Sequence, residues 1–211
     1  SDFRIAKPFP HIILDNFLDE SFFQKLDVEK IRTDKEKGLL FNTEIETNKW
    51  TSKNVELNES ISKIVNELYT DNFIKNLNKL SGIKDLFSTN VGNTALANYH
   101  EMYESGFLGT HVDHSSEPDT GLPHVLNIIL YLSKKWDVTW GGSTMFANKN
   151  GTKIEKIIDY IPNRAVIFLH TPFTFHGVTK IQNNLTKRST IYVDYYSKNK
   201  QPYTHLDLQF K

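Results

Sequence analysis

Three side chains in this sequence have the chemistry and the spacing to share one metal ion. His111 and Asp113 are separated by a single residue, and alternate side chains on a β-strand point to the same face. His176 lies in a second strand-like stretch, residues 174–178, which is 65 residues further along the chain. The sequence therefore predicts a metal site formed by two imidazoles and one carboxylate.

Two imidazoles and one carboxylate on one face of a metal leave three coordination positions open. This is the facial arrangement in which non-haem Fe(II) oxygenases hold their metal. A His-x-Asp pair is common by chance, so further features are needed to support the assignment. His114 has the wrong strand parity relative to Asp113. His170 lies across a Thr-Pro turn from His176. We therefore expect that His114, His124 and His170 are not ligands.

One arginine stands at the start of an apolar, aromatic stretch. The chain has only four arginines, Arg4, Arg32, Arg164 and Arg188, and the last of them begins the run 188–197. It could be a surface guanidinium at a strand end. A buried guanidinium, in contrast, could bind a carboxylate through two parallel hydrogen bonds. We predict this second role for Arg188, and Lys187 would face the other way on a regular strand.

The composition excludes several other kinds of chemistry. The 211 residues include no cysteine, so disulfides, zinc–thiolate sites, iron–sulfur clusters and cysteine nucleophiles are excluded. The 25 basic residues balance the 25 acidic ones, which argues against a nucleic-acid partner. No apolar run approaches the roughly 20 residues that span a bilayer, and the first residues do not resemble a signal peptide. We expect a cytoplasmic protein without a nucleic-acid or membrane partner.

Helical periodicity is confined to the N-terminal part of the sequence. Asp19 can cap a helix over about residues 20–32, with apolar side chains on one face. A second helical stretch covers residues 58–82 and ends at a Ser-Gly pair. It could be one helix or two helices broken near Thr70. Residues 33–56 are polar with scattered aromatics and predict an irregular segment with one short strand.

Strand-like runs dominate the rest of the chain. After the second helical stretch, short runs of β-branched and aromatic residues are separated by Gly, Pro, Asn and Asp. The candidate strands are residues 11–18 near the N-terminus and then 85–91, 94–103, 107–113, 124–132, 142–147, 154–157, 165–170, 174–180 and 188–197. Short strands at this spacing predict an antiparallel sandwich or barrel.

The expected fold class is α+β, with a double-stranded β-helix core of the jelly-roll or cupin-like kind. The N-terminal helices would pack on one of its sheets. No repeat, low-complexity tract or linker divides the sequence, so we expect one domain over residues 1–211. Residues 1–82 would be a mostly helical support, and residues 83–211 would form the jelly-roll core.

Several short motifs follow one another in an order that is typical of a known enzyme family. Tyr103-Glu-Ser-Gly106 followed by His111-Val-Asp113 matches a Y-x-x-G-x4-H-x-D pattern. The other motifs are residues 8–18 and 125–133, Trp136-Asp137, Gly141-Gly142, residues 162–168 and His176-Gly-Val178. Together they resemble the 2-oxoglutarate- and Fe(II)-dependent dioxygenases, specifically the prolyl 4-hydroxylase branch, over nearly the whole chain.

This resemblance implies roles for individual residues. The three predicted metal ligands would bind Fe(II). Arg188 would pair with the distal carboxylate of the cosubstrate 2-oxoglutarate, the Tyr131 hydroxyl would bond the same carboxylate, and Tyr103 would lie near the metal end. The other residues that would line the pocket are Asn127, Ile129, Thr144, Val178 and Thr190. O2 would be the second cosubstrate, with ascorbate as an auxiliary reductant. Ordinary packing is the alternative role for Tyr131, Asn127 and Thr144.

The activity implied by the resemblance is prolyl 4-hydroxylation of a peptide or protein, and a free amino acid or small metabolite is the alternative substrate. Collagen-type enzymes of the branch usually hold the distal carboxylate with lysine, and hypoxia-factor enzymes carry a tryptophan where this chain has Asp194. Residues 33–56, with Phe41 and Trp50, and the loop 114–123 are expected to rim the site. We expect a monomer or a weak dimer.

Three other functions compete with this one. A non-catalytic jelly-roll module could keep the metal for structure, but it would have no use for a buried arginine. A zinc hydrolase could use the same ligands, but it would need a general base near the metal. Nucleic-acid demethylases of the AlkB type show a sequence pattern with a second arginine six residues after the first. Asp194 occupies that position here.

Overall fold

The computed structural model describes residues 2–28, 39–52, 59–88 and 99–199. Three α-helices lie in its N-terminal part, namely α1 (Glu20–Lys25), α2 (Glu59–Leu68) and α3 (Asp71–Ser81). Single 3-10 turns occupy Asp2–Ile5 and Val138–Trp140. Within these described ranges, no helix is long and apolar enough to span a bilayer.

The helix ends follow capping signals in the sequence. Asp19 caps α1 as predicted, because its carboxylate accepts a backbone N–H three residues further on. The helix is nevertheless shorter than predicted, and residues 29–32 lie outside the described part. Thr70 caps α3 and separates it from α2, so the second helical stretch is two helices. Gly82 ends α3 at φ +84°, in the left-handed region that favours glycine.

Eleven β-strands occur in the described ranges. They are β1 (His11–Leu14), β2 (Leu39–Phe41), β3 (Glu46–Ser52), β4 (Leu86–Phe87), β5 (Tyr99–His111), β6 (His124–Tyr131), β7 (Thr144–Ala147), β8 (Ile154–Ile158), β9 (Ala165–Leu169), β10 (His176–Val178) and β11 (Arg188–Ser197). From β6 onward, each predicted strand is present with its ends within two residues of the expected positions. The predicted strands 11–18 and 85–91 are shorter, and residues 89–91 lie outside the described part.

The strands form one curled, antiparallel sheet. Its main path runs β1-β9-β6-β11-β5-β10-β7-β8, while β4 pairs with β11 and β3 links β2 to β5. Each strand of the path pairs antiparallel with its neighbours, as expected for a jelly-roll-like core. Every residue of β6 is buried, so this central strand is covered on both faces.

One long strand replaces two that the sequence predicts. The sequence predicts separate strands at 94–103 and 107–113, whereas β5 runs unbroken from Tyr99 to His111, and residues 94–98 lie outside the described part. Its first residues pair with β11 and its last residues pair with β10, while β3 pairs with both halves. The backbone bends at Ser105, where φ is +64°. The sequence around Ser105 therefore resembles a turn, although the strand continues through it.

The segment predicted to be irregular contains a hairpin. The sequence predicts one short strand within residues 33–56, but β2 and β3 both fall in this segment and pair antiparallel. Residues 33–38 and 53–56 and the side chain of Phe41 lie outside the described part. Because β3 pairs with β5, the hairpin borders the strand that ends at His111.

Two hydrophobic clusters lie on opposite faces of β6. The first includes Ile128 and Leu130, and it also contains side chains of the helices, among them Phe23, Ile61, Val65, Leu68 and Leu77. The second includes Ile129 and Tyr131, together with aromatic residues of β7 and β9. Strand alternation therefore directs Ile129 and Tyr131 away from the helices and into the interior of the curled sheet.

Candidate metal centre and anion pocket

His111 and His176 lie directly opposite each other on paired strands. His111 ends β5, His176 begins β10, and their Cα atoms are register partners. Their ring centroids are 4.5 Å apart. Asp113 follows β5, with one carboxylate oxygen 3.2 Å from Nε2 of His111 and the other 3.2 Å from Nε2 of His176. The three potential ligand atoms all lie within 4.8 Å of one another. The structure thus brings together the three residues predicted to bind metal.

The backbone determines which ring nitrogen of each histidine faces this cluster. Nδ1 of His111 lies 2.9 Å from the carbonyl of Gly109, and Nδ1 of His176 lies 3.1 Å from the carbonyl of Thr174. A carbonyl oxygen only accepts, so the Nδ1 atoms carry the protons and donate. In the neutral rings, both Nε2 atoms then keep a lone pair for a metal.

The charge state of Asp113 suits a divalent cation. Burial alone would raise the pKa of Asp113, but without a metal the positive charges and Nε2–H donors of protonated His176 and His111 hold it well below its ordinary value, and a divalent cation would take the place of both protons. Two imidazole nitrogens and one carboxylate oxygen are a donor set that Fe(II) and related divalent metals accept. Among the residues that the structure describes, this is the one such group of His, Cys, Asp and Glu.

Two side chains donate hydrogen bonds to the same oxygen of the Asp113 carboxylate. Asn127 donates its amide to Oδ2 over 3.2 Å, and the Tyr192 hydroxyl donates to the same oxygen. Burial raises the pKa of Tyr192 well above its ordinary value, so the hydroxyl keeps its proton. Sequence reasoning misses Tyr192. It follows Arg188 and Thr190 at alternate positions of β11, so strand alternation could have identified it.

A pocket runs from this cluster to Arg188. The three candidate ligands line one end of the pocket, Arg188 lines the other end, and Ile129, Val178 and Thr190 lie between them. Those three residues were predicted to line a pocket, and the structure places them there. Lys49 of β3 also contributes to the wall, while neither Trp50 nor any residue of the loop 114–123 is among the lining residues.

Arg188 is a buried cation. Only 3% of its surface is exposed, its Nε donates to the carbonyl of Gly142 over 2.7 Å, and within the described ranges it pairs with no carboxylate. Its guanidinium lies 5.5 Å and 5.1 Å from the ring centroids of Tyr131 and Tyr160. Burial lowers the pKa of Arg188, because a charged group loses hydration there. A buried guanidinium without a counterion favours binding of an anion.

Two of the other predicted pocket residues lie beside this cation and contact each other. The Tyr131 hydroxyl and the Thr144 hydroxyl are 2.5 Å apart, and both side chains are buried. Thr144 is the register partner of Val178, and Thr190 is the partner of Tyr131. Neither Tyr131 nor Thr144, nor the predicted Asn127, is among the residues that line the pocket itself. Arg188 does line it, and a guanidinium fits the distal carboxylate of 2-oxoglutarate.

The structure does not bring Tyr103 to the pocket. On β5, His100 and Met102 face the pocket, and alternation turns Tyr103 and Glu101 to the opposite side. There the Tyr103 hydroxyl donates to Glu101 over 2.8 Å. Lys187 reaches the same carboxylate, with its Nζ 2.6 Å from Glu101 Oε1. The predicted position of Tyr103 near the metal end is therefore corrected, and Lys187 faces away from Arg188 as expected.

Three other histidines stack beside the metal cluster without joining it. The rings of His114 and His124 are 4.8 Å apart between centroids, and those of His124 and His170 are 4.1 Å apart. None of the three belongs to the candidate ligand group. Asp194, which stands where hypoxia-factor enzymes carry tryptophan, lies 3.2 Å from His124 through its Oδ1.

Comparison with known protein families gives one match, and the matched segment contains the site. Residues 95–193 match the 2OG-Fe(II) oxygenase superfamily. The matched segment contains the three candidate ligands and Arg188, so the resemblance inferred from the sequence motifs is confirmed. The 2OG-Fe(II) oxygenases use Fe(II), 2-oxoglutarate and O2, and the donor set found here fits these cofactors. No curated protein sequence matches this chain.

Solved structures of 2OG-Fe(II) oxygenases share the fold at low sequence identity. A prolyl-4-hydroxylase from Pseudomonas putida superposes with a TM-score of 0.63 at 15% identity, covering 90% of this chain and 93% of that chain. A prolyl hydroxylase from Trichoplax adhaerens, in complex with a hypoxia inducible factor peptide fragment, gives 0.63 at 16% identity, covering 89% and 84%. HygX from Streptomyces hygroscopicus, with nickel and 2-oxoglutarate bound, gives 0.59 at 9% identity, covering 89% and 83%.

Proposed function

We propose that this protein is a 2-oxoglutarate-dependent hydroxylase whose metal is held by His111, Asp113 and His176. One observation carries the proposal, namely that a single pocket joins these residues to the buried guanidinium of Arg188, which pairs with no carboxylate of the described residues. A structural metal module or a zinc hydrolase would need no anion site at the other end of the metal pocket. A cosubstrate that is both a metal ligand and a carboxylate would account for both ends of the pocket.

The residues of the chain would bind and orient the cosubstrate. Arg188 would take the distal carboxylate, and the hydroxyls of Tyr131 and Thr144 would add hydrogen bonds. Ile129 and Val178 would enclose its methylene groups and exclude water. With Fe(II) and O2 bound, oxidation of 2-oxoglutarate to succinate and CO2 delivers one oxygen atom to the cosubstrate and one to a substrate C–H bond.

We infer that the substrate is a prolyl residue in a peptide or protein, with hydroxylation at C4. The support is the fold similarity to two prolyl hydroxylases, one of them bound to a peptide, together with the motif order of the sequence. Identity of 15–16% supports the fold and leaves the substrate as a proposal.

A free amino acid or small acidic metabolite is the second candidate, and Lys49 favours it. This lysine lines the pocket from β3, and its ammonium is 2.7 Å from Glu46 in a largely buried pair. An ammonium in the wall could bind the carboxylate of a small substrate. The backbone of a peptide has no carboxylate next to an internal proline, whereas a free amino acid always has one.

The test is turnover with Fe(II), 2-oxoglutarate and O2 in the presence of a panel of proline-containing peptides and free amino acids. The proposal predicts succinate release coupled to a 16 Da mass gain on one substrate class. The Asp113→Ala variant should release none. Succinate release without a mass gain on any peptide, but with a gain on a free amino acid, would favour the second candidate.

A further inference from the structure

An ion pair formed by His124 and Asp194 lies next to the Asn127 amide, which donates to the candidate ligand Asp113. His124 and Asn127 are both on β6 and three residues apart, a spacing that would place them on opposite faces of a regular strand. The pairing of β6 with β11 shifts register here, because Tyr195 is paired with Leu126 and Tyr196 with His124. This irregularity turns His124 to the same side as Asn127.

Donor and acceptor chemistry fixes the orientation of the Asn127 amide. Asp113 Oδ2 is a carboxylate oxygen that only accepts, so the Asn127 atom facing it must be Nδ2, which lies 3.2 Å away. Asn127 Oδ1 then faces Nε2 of His124 in a hydrogen bond. Because Oδ1 also only accepts, His124 Nε2 must carry a proton. A flipped amide would place two oxygens against each other at Asp113.

The other nitrogen of His124 is protonated for the same reason. Its Nδ1 lies 2.9 Å from the backbone carbonyl of His114, which can only accept. Both ring nitrogens therefore donate, and the ring is an imidazolium. This charge is fully buried, since His124 has no exposed surface, so a counterion is required.

Asp194 supplies that counterion. Its Oδ1 lies 3.2 Å from Nε2 of His124, its side chain is 7% exposed, and its Cα is the register partner of Asn127 across β6 and β11. Although burial alone would lower the pKa of His124, the carboxylate of Asp194 raises it to about 9. The two charges of the pair therefore compensate each other. His124 also contacts the Asn127 amide, which donates to Asp113.

We propose that His124 and Asp194 are positioning residues that orient the Asn127 amide onto Oδ2 of Asp113 and thereby orient this carboxylate for metal binding. The inference rests on the proposed role of Asp113 as a ligand. Asn127 and Tyr192 both donate to Oδ2, which also lies 3.2 Å from Nε2 of His176, whereas Oδ1 faces Nε2 of His111 and receives neither of these two donors, so it keeps lone pairs for a metal. Such outer hydrogen bonds usually change metal affinity 10- to 100-fold.

Co(II) binding to the full-length chain tests this, because the visible spectrum of the bound ion reports ligand geometry as well as affinity. We expect Asp194→Asn and Asn127→Leu each to weaken Co(II) affinity about 10- to 100-fold and to alter the spectrum. The control is His11→Gln, which also replaces a buried histidine bonded to a backbone carbonyl, but one whose ring packs against Phe146 and not against the Asn127 amide. It should bind Co(II) like the wild type.

The double variant Asp194→Asn/Asn127→Leu separates positioning from general damage. If Asp194 acts through the amide, the double variant should bind Co(II) about as well as Asn127→Leu alone. Losses that multiply, or an Asp194→Asn variant with wild-type affinity, would overturn the proposal. If the wild type itself fails to bind Co(II), or binds it equally well after His176→Ala, the proposed metal site fails first and the inference fails with it.

A measurement on the wild-type protein tests the proposal without requiring that any variant folds. Nitrogen NMR of the histidine rings distinguishes an imidazolium from either neutral tautomer. The proposal expects both nitrogens of His124 to be protonated at neutral pH in the metal-free and the Zn(II)-loaded protein. A neutral His124 could not donate from both nitrogens, and that result would overturn the proposal.

Discussion

The pairing of His111 with His176 across β5 and β10 joins two parts of the chain that are 65 residues apart in sequence. Each ring donates its Nδ1 proton to a backbone carbonyl, so the strands themselves orient both Nε2 atoms. A metal bound by these two histidines and Asp113 would link the end of β5 to the start of β10. Metal binding should therefore be coupled to the stability of this part of the sheet.

Addition of Co(II) or Mn(II) should raise the melting temperature of the protein. A metal at 100 times its dissociation constant should stabilise the fold by about 2.7 kcal/mol, because it binds the native state alone. Differential scanning fluorimetry with increasing metal measures the shift. His176→Ala should lose it and His11→Gln should keep it, whereas equal shifts in all three proteins would contradict the assignment of the ligands.

Arg188→Gln should weaken 2-oxoglutarate binding strongly. Removing one partner of a buried charge pair costs about 2–5 kcal/mol, which corresponds to roughly 30-fold to several thousand-fold in affinity. Arg188→Lys should be intermediate, because an ammonium cannot form two parallel hydrogen bonds. The measured quantity is the 2-oxoglutarate concentration that gives half-maximal succinate formation.

Lys187→Met is the matched control for that experiment, since this lysine is adjacent but faces Glu101 on the opposite side. It should leave the 2-oxoglutarate requirement unchanged. An unchanged requirement in Arg188→Gln, or a large increase confined to Lys187→Met, would contradict the role of Arg188.

The same Lys187→Met variant should lose stability. Lys187 and Glu101 are both 2% exposed and form an ion pair of 2.6 Å, so removing the lysine leaves a buried carboxylate without its cation. The expected loss is about 3–5 kcal/mol in the free energy of unfolding, measured by urea denaturation. The double variant Lys187→Met/Glu101→Leu should recover part of it, and a larger loss in the double variant would argue against the pair.

The stability of the metal-free protein should fall as the pH rises through about 9. Asp194 raises the pKa of His124 to about 9 in the folded chain, against an unfolded value near 6.5. A raised histidine pKa stabilises the fold fully below the unfolded pKa, and this contribution is lost as the pH passes the folded one. The free energy of unfolding should drop by about 3 kcal/mol between pH 6.5 and 9.5.

Asp194→Asn should flatten this pH dependence, because the imidazolium then has no counterion. Urea denaturation of both proteins at the two pH values measures the difference. Equal slopes in the wild type and the variant would show that the pair contributes nothing to stability.

Local patterns predicted much of the fold and most of the candidate site. Strand alternation placed His111 and Asp113 together, and the capping residue Asp19 marked the start of α1. The sequence indicated Thr70 only as a possible break, which the structure shows to be the start of α3. These signals operate over a few residues, so a single sequence carries them. The order of the motifs then connected His176 and Arg188 to the same site.

The features that the sequence did not predict depend on neighbours distant in the chain or on local irregularities. Ser105 bends β5 without ending it. The face of the sheet on which Tyr103 lies therefore depends on strand register, which local sequence patterns do not reveal. The irregular pairing of β6 with β11 reverses the expected direction of His124. The pair between Glu101 and Lys187 joins residues 86 positions apart.

The most direct test of the central claim is an anaerobic titration of the Fe(II)-loaded protein with 2-oxoglutarate, followed by visible absorption. A charge-transfer band arises when 2-oxoglutarate chelates Fe(II), and it requires no knowledge of the hydroxylated substrate. We predict a saturable band in the wild type, a shift to much higher 2-oxoglutarate concentration in Arg188→Gln, and no band in His176→Ala. No band in the wild type, or the same titration curve in all three proteins, would contradict the account.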